Sequence, residues 1–376
     1  MNIKSLILGS AAAIVAAGAA QAADLPVAEP VDYVKVCDAY GAGYFFIPGT
    51  DTCLSIRGEV TFGMSSHGWK ESASDPERAD ALLDFYTEST VTFQAMEETE
   101  YGTLTAHIEV DIDQNGTTEG GEENGDVNGD KVWLSLGGFY AGLTDSVVNY
   151  NAGNTYDDFG MDLGDVQAIG YSMAVGNGVS FTVALEEFDQ NDDATAATSA
   201  AGISSPAFAA EVAVEQGWGS IRVGGSVFQV RYGNAVYDTD LGWALGGIAS
   251  FNVTDQLSLA VSAGYTVGGD LNPVGPDINS SAAGIMNEEW VVAAGLTYAF
   301  SDQVSFDLEA DYYNLDDKAG TMGTDLDVWQ IAGEVNYTIV PNLTLKARLG
   351  YRDIDTKVAG ADFDDMRGRV TITRKF

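Results

Sequence analysis

Alternation of apolar and polar residues, repeated in segments of about ten residues, constrains this chain more than any other feature. The last eleven residues show the pattern. One set of alternate positions carries Met366, Gly368, Val370, Ile372 and Phe376. The other set is basic or hydroxyl-bearing, and Arg374 is the one misfit on the apolar side. Because successive side chains of a strand point to opposite faces, the segment predicts a strand with one apolar and one polar face.

Sixteen segments of the chain have this alternation, and we predict that each is a strand. They lie at residues 54–64, 83–94, 103–111, 131–136, 139–143, 166–175, 179–186, 207–215, 220–230, 241–253, 257–267, 289–300, 304–313, 328–338, 343–352 and 366–376. An apolar outer face, a polar inner face and an even number of strands are typical of a closed transmembrane antiparallel β-barrel. The sequence therefore predicts an all-β fold of this kind.

The predicted connections alternate in length, as such a barrel requires. Short turns, which include Asn177-Gly178, a strong hairpin signal, alternate with long polar connections. The long ones are 65–82, 112–130, 144–165, 187–206, 231–240, 268–288, 314–327 and 353–365. We predict short periplasmic turns and long outer loops. A soluble β-sandwich or an eight-strand repeat is the alternative, but Trp290, Tyr298 and Phe300 near the ends of one strand favour membrane interfaces.

The N-terminus predicts export. Lys4 precedes an apolar run over residues 6–20, and Ala20-Gln21-Ala22 matches a signal-peptidase site, so residues 1–22 read as a signal peptide. A membrane anchor is the alternative, but the run is short for a span. We expect residues 23–53 to form an N-terminal segment on the periplasmic side. Residues 54–376 are then the β-barrel pore domain of an outer-membrane protein.

Charge narrows the possible partners. The formal net charge is −39, and nucleic acid or an anionic membrane surface would require a basic footprint. A hydrophobic content of 45% argues against disorder. The carboxylates therefore predict acidic solvated loops or a surface that handles cations, and no nucleic-acid partner.

The chain has two cysteines, Cys37 and Cys53. A single pair in an exported chain predicts a disulfide. Closing a loop of this size contributes about 3 kcal/mol in the chain-entropy model. A metal site would need further ligands close in sequence, and none is present there.

Basic residues are concentrated on the predicted inner face of three neighbouring strands. They are Lys346, Arg348 and Arg352, then Arg367 and Arg369, and Arg57 on the first strand. These are six of the 17 Lys and Arg residues in an acidic chain. A sixteen-strand barrel leaves an aqueous channel, so the cluster predicts a basic pore wall. Unpatterned lumen polarity is the alternative.

The third long connection, 144–165, differs from the other loops because it mixes apolar and acidic residues. Its aspartates are Asp145, Asp157, Asp158, Asp162 and Asp165. Val147, Val148 and Met161 lie among them. We expect this loop to pack inside the lumen with its aspartates facing the basic wall, so that a transverse field crosses the constriction. An ordinary surface loop is the alternative.

Several motifs resemble those of alphaproteobacterial general outer-membrane porins. They are Ala-Asp-Leu-Pro at 23–26, the segment 36–54 around both cysteines, Gly-Phe-Tyr-Ala-Gly-Leu-Thr at 138–144 and the Arg-Lys-Phe end. The resemblance covers essentially the whole chain after the signal peptide. It implies a homotrimer of sixteen-strand barrels with the third loop folded inward. The aspartates of this loop are fewer and more spread than the family pattern, so the resemblance assigns none of them an individual role.

One motif predicts a metal ion. Residues 111–122 match the calcium loop of an EF-hand, with the oxygen ligands Asp111, Asp113, Asn115, Glu119 and Glu122. Against it, strands flank the loop where helices are usual, and Thr118 occupies an aliphatic position. We keep calcium on an outer loop as a possible ligand, and the pore itself requires no cofactor.

The sequence offers no recognisable catalytic arrangement. Neither His67 nor His107 has a nucleophile in a familiar frame, and we expect a channel and not an enzyme. The predicted function is passive diffusion of small hydrophilic solutes and ions, with a weak preference for cations. Outer-membrane lipid and lipopolysaccharide are the expected surroundings. The alternatives are a substrate-specific channel, a surface barrel for adhesion or phage binding, and an outer-membrane lipase.

Overall fold

The computed structural model describes residues 35–66, 83–115, 125–152, 160–188, 203–231, 239–269, 287–316, 325–357 and 362–376. Within these ranges the chain forms nineteen strands and one 3-10 helix. No helix in these ranges is long and apolar enough to cross a membrane.

The helix spans Asp38–Tyr40. The strands are β1 (Tyr44–Phe46), β2 (Cys53–Ser66), β3 (Leu83–Thr99), β4 (Gly102–Asn115), β5 (Gly125–Leu136), β6 (Phe139–Asp145), β7 (Asn149–Tyr150), β8 (Met161–Asp162), β9 (Asp165–Gly176), β10 (Val179–Glu187), β11 (Ala207–Gln216), β12 (Gly219–Val230), β13 (Asp240–Asn252), β14 (Leu257–Val267), β15 (Glu288–Ala299), β16 (Val304–Asp316), β17 (Leu326–Val340), β18 (Leu343–Asp355) and β19 (Phe363–Lys375).

Sixteen of these strands, β2–β6 and β9–β19, form a closed antiparallel barrel. Each pairs with its neighbour along the chain. The last strand, β19, pairs with β2 in a register that runs from Gly368 opposite Ser66 to Lys375 opposite Glu59. This pairing joins the two edges of the sheet, and a strand edge open to lipid is not tolerated in a membrane. The predicted fold, strand number and closure of the last strand on the first are confirmed.

The strands extend further than the alternation predicts. β3 has 17 residues and ends at Thr99, and β4 continues to Asn115. Outside the membrane boundary both faces of a strand meet water, so the apolar signal ends while backbone pairing continues. Parts of the connections at 65–82 and 112–130 are therefore strand.

The hairpin turns agree with the turn residues. β9 and β10 are joined by Asn177 and Gly178, whose φ angles are 53° and 72°. Positive φ at both central residues is the backbone of a type I′ turn, which suits the twist of antiparallel strands.

The outer face of the barrel is apolar, as predicted. On β19, Val370 and Ile372 are exposed in the isolated chain. Aromatic side chains pair across strands on this face, and the ring centroids of Trp290 and Tyr312 lie 4.9 Å apart. Such rings suit the boundary between lipid and water.

Residues 35–53 join the barrel where its two ends meet. Phe376 exchanges backbone hydrogen bonds with Gly58, at 2.9 and 3.1 Å, and β1 then pairs with β2 beyond that point, with Phe46 opposite Cys53. The predicted disulfide between Cys37 and Cys53 is present and buried. The predicted signal peptide, 1–22, lies outside the described residues.

Candidate functional site

Six basic side chains line the inner wall of the barrel, and we call them the basic strip. They are Arg57 on β2, Lys346, Arg348 and Arg352 on β18, and Arg367 and Arg369 on β19. Their strand neighbours Leu349 and Val370 are exposed on the outer face, so strand alternation places the basic side chains inside. The strip runs along the pore axis because β18 supplies three of its residues and β19 two; Arg57 lies at one end of it, next to the Gly58–Phe376 pairing and eight residues along β2 from Ser65, the register partner of Arg369.

Two arginines of the basic strip lie opposite one another. Arg348 is the register partner of Arg369 on β19, and its partner on β17 is Glu334. The guanidinium carbon of Arg369 lies 5.2 Å from the ring centroid of Tyr86, within the range of a cation–π contact. An acid and an aromatic ring thus flank this pair of like charges.

Other members of the basic strip have carboxylate or amide partners. The Nζ of Lys346 lies 3.2 Å from Glu334 Oε1. Arg367 Nε lies 2.5 Å from Asp365, and Arg57 donates to Gln94 at 2.7 Å. The positive potential of the strip is therefore reduced by groups on the wall itself.

Acidic residues flank the basic strip on both sides. On one side is a group that we call the β16–β17 acidic strip: Asp307, Glu309, Asp311 and Glu334. On the other side is the β3–β4 acidic strip: Glu88, Glu109, Asp111 and Asp113. Threonine hydroxyls fix two carboxylates of the β3–β4 acidic strip: Thr90 donates a hydrogen bond to Asp111 at 2.6 Å, and Thr92 donates one to Glu109 at 3.0 Å. Sequence reasoning missed both strips, although their signal was present as carboxylates on the polar faces of predicted strands next to the basic ones.

The third long connection packs against the inner wall. Val148, Tyr150 and Met161 are fully buried, and β7 and β8 form a small hairpin in which Tyr150 is opposite Met161. This hairpin contacts β13 and β14, several strands away around the barrel from β6. The described parts of the loop, residues 144–152 and 160–165, therefore lie inside the barrel, as predicted.

Glu186 on β10 anchors the start of this loop. Its carboxylate accepts hydrogen bonds from the Val147 N–H at 2.7 Å and from the Ser146 hydroxyl at 2.8 Å. The side chain is fully buried. Sequence reasoning missed Glu186 because nothing in a linear pattern separates it from other acids near strand ends.

Three of the five predicted constriction aspartates have contacts within the loop or at its base. Asp145 and Asp165 are register partners between β6 and β9, and Lys131 forms salt bridges with both, at 2.8 Å to Asp145. Asp162 accepts from the Asn149 amide at 3.0 Å and from the Gly164 N–H at 2.7 Å.

Burial raises the pKa of Asp162, and the hydrogen bond from Gly164 opposes that shift. Asp157 and Asp158 lie outside the described residues. The prediction that loop aspartates face the basic strip therefore depends on those two residues.

The predicted calcium ligands begin in a regular strand. Asp111 and Asp113 alternate along β4, and Asn115 ends it. Side chains two apart on a strand are separated by roughly 6.5 Å, whereas an EF-hand loop curves so that its ligands converge on one ion. In the ranges that the structure covers, no three His, Cys, Asp or Glu side chains are grouped to hold a metal ion. Glu119 and Glu122 lie outside these ranges, and calcium binding stays a prediction.

His107 lines the pore on the β3–β4 side. Its ring stacks on Trp133 with centroids 4.8 Å apart and planes 8° from parallel, and its Nε2 lies 3.6 Å from Glu109. These contacts hold the His107 side chain against the barrel wall. His67 lies outside the described residues.

Sequence comparison places the chain among porins. A family model described as "Porin subfamily" matches residues 24–371. Porin Omp2b of Brucella canis is 32% identical over 368 residues, which cover 93% of this chain and 92% of that protein. Porin Omp2b of Brucella abortus has the same identity and coverage.

Solved structures show the same fold at low identity. The outer membrane channel DcaP of Acinetobacter baumannii superposes with a TM-score of 0.72 at 20% identity, covering 88% of this chain and 99% of that one. OmpF of Salmonella typhi gives a TM-score of 0.59 at 14% identity, covering 87% and 98%. With the family match over nearly the whole chain, and with the closed barrel and its charged lumen, this chain belongs to the porin family of outer-membrane channels.

Proposed function

We propose that the chain assembles as a homotrimer in which each barrel is a separate water-filled pore. The passage runs between the third loop and the basic strip, and small hydrophilic solutes and ions diffuse through it. The observation that carries the proposal is the inner wall, where charged side chains of β16–β19 and β2–β4 form a continuous polar surface. Water and hydrated ions require such a lining.

We further propose a weak preference for cations. Lys346 is paired with Glu334, and Arg367 with Asp365, so part of the positive charge of the basic strip is compensated. An acidic strip lies on each side of it, and the whole chain carries a net charge of −39. Cations are therefore favoured at the mouths and along two of the three strips.

Swelling of proteoliposomes in solutions of neutral sugars of increasing size tests the pore. A general pore gives swelling rates that fall smoothly with sugar size. A substrate-specific channel gives rapid, saturable entry of one solute class only. A surface barrel for adhesion or phage binding gives no swelling above that of empty liposomes.

The trimer and its lipid partners belong to the same proposal. The apolar outer face carries aromatic pairs such as Trp290–Tyr312 and Trp329–Tyr351. Such a face supports contact with membrane lipid and lipopolysaccharide. Native mass spectrometry of the detergent-extracted protein should give the mass of three chains with bound lipopolysaccharide. A single-chain mass without lipid would contradict both parts. We propose no enzymatic role, and lipid hydrolysis by the purified barrel would overturn that statement.

A further inference from the structure

Three glycines form a row across the inner wall of the barrel. Gly224 on β12 is the register partner of Gly246 on β13, and Gly246 is the register partner of Gly264 on β14. Their strand neighbours Val223 and Leu245 are exposed on the outer face, so the glycines face the lumen. Glycine weakens a strand interior and marks places where another group approaches the backbone closely.

The group that approaches this row is the third loop. A Cβ atom added to Gly264 would lie 2.5 Å from the Cβ of Met161, and its three nearest atoms all belong to Met161. One added to Gly246 would meet the Met161 sulfur and, at 3.2 Å, the ring of Tyr150. One added to Gly224 would meet the Tyr150 hydroxyl. Any side chain on the row therefore competes with the loop for the same space.

The loop presents two matching side chains to the glycine row. Tyr150 and Met161 are opposite one another in the β7–β8 hairpin, and both are fully buried. Arg222 borders the row with its guanidinium carbon 5.2 Å from the Tyr150 ring centroid. Arg222 is itself held by Glu211, at 2.8 Å. The loop thus rests on a flat glycine surface next to a fixed ion pair.

We infer that Gly224, Gly246 and Gly264 are the seat that holds the third loop at its depth in the lumen, and so set the free cross-section of the pore. This inference rests on the proposed pore function. The loop is anchored at Glu186 and at its base by Lys131, so it cannot leave the lumen when the seat is filled. A side chain on the row moves the hairpin away from β12–β14 and toward the basic strip, and the passage narrows.

Single-channel conductance tests the seat. Gly264→Ala should lower the conductance and the size limit for neutral sugars, and Gly264→Val should lower both further. Adding Met161→Gly to Gly264→Ala should restore conductance toward the wild-type value, because it removes the Cβ, Cγ and Sδ atoms that the new Cβ would meet. Gly350→Ala is the matched control, since its added Cβ would make only ordinary contacts, at 3.6 Å to the Ala332 Cβ and 3.8 Å to the Ile331 carbonyl oxygen, and it should leave conductance unchanged.

Three results would overturn the inference: wild-type conductance in Gly264→Ala, no restoration in the double variant, or an equal loss in the control. Met161→Ala alone gives a second test that does not depend on how Gly264 variants fold. It should raise the conductance, and a value equal to wild type counts against the seat. A wild-type protein that conducts no ions would instead refute the proposed function, so the two failures are distinguishable.

Discussion

Arg348 and Arg369 are directly opposed across β18 and β19 on the inner wall of the barrel. Like charges at such positions destabilise a sheet. Glu334 beside Arg348 and the ring of Tyr86 near Arg369 offset part of this effect. The arrangement concentrates positive charge in the lumen and lowers the free energy of unfolding. Such an arrangement favours ion permeation and disfavours barrel stability.

Neutralising Arg369 should change selectivity without weakening the fold. Arg369→Gln removes one of two opposed cations, so we expect a shift of reversal potential toward cation selectivity. The free energy of unfolding should stay level or rise by about 0.2–1 kcal/mol, the usual size of a cross-strand pair effect. Arg374→Gln is the control, because Arg374 is exposed near the end of the same strand and donates to the Asn342 carbonyl at 3.3 Å. Equal shifts in both variants would refute the role of Arg369.

Glu186 should determine how firmly the third loop is held. Glu186→Ala leaves the Val147 N–H and the Ser146 hydroxyl without their acceptor, a loss of about 1–3 kcal/mol for buried groups. Single-channel recordings should then show flicker that the wild type lacks. Glu186→Gln keeps one acceptor oxygen and should flicker less than the alanine variant. Quiet recordings from both variants would show that the loop is held elsewhere.

The disulfide should stabilise the end of the barrel at which β1 pairs with β2, without affecting permeation. Replacing Cys37 and Cys53 by serine releases the segment whose strand β1 pairs with β2. The chain-entropy model gives a loss of about 3 kcal/mol for a loop of this length. Thermal unfolding should occur at lower temperature, while conductance stays at the wild-type value. A changed conductance would mean that the segment reaches the passage.

If residues 111–122 bind calcium, millimolar calcium should raise the unfolding temperature of the protein. The Asp113→Asn variant should show no such rise. Magnesium serves as the control ion, because it demands a tighter octahedral site. An unfolding temperature unchanged by calcium would remove the prediction.

The fold could be predicted from the chain because alternation is local. Apolar residues at alternate positions, such as Val370 and Ile372, identify the lipid-facing side of a strand. The disulfide could be predicted because Cys37 and Cys53 are the two cysteines of the chain. The contacts at the constriction could not be predicted. The hydrogen bonds from the third loop to Glu186 depend on where the loop packs inside the lumen. The alignment of Gly224, Gly246 and Gly264 in one row depends on the register between β12, β13 and β14. Strand alternation assigns a face to each residue and says nothing about either.

The charge strips fall between these two cases. The basic strip was visible because its residues are rare in the chain, whereas Asp307 or Glu109 is one carboxylate among 56 acidic residues. Only the strand register shows that such acids flank the arginines.

Reversal potential across a planar bilayer in a salt gradient tests the central claim, that ions pass through a lumen lined by a basic strip between two acidic strips. The wild type should conduct in steps proportional to salt concentration, with a weak cation preference, and Arg369→Gln should increase that preference. The absence of conductance steps, or a reversal potential that Arg369→Gln leaves unchanged, would contradict it.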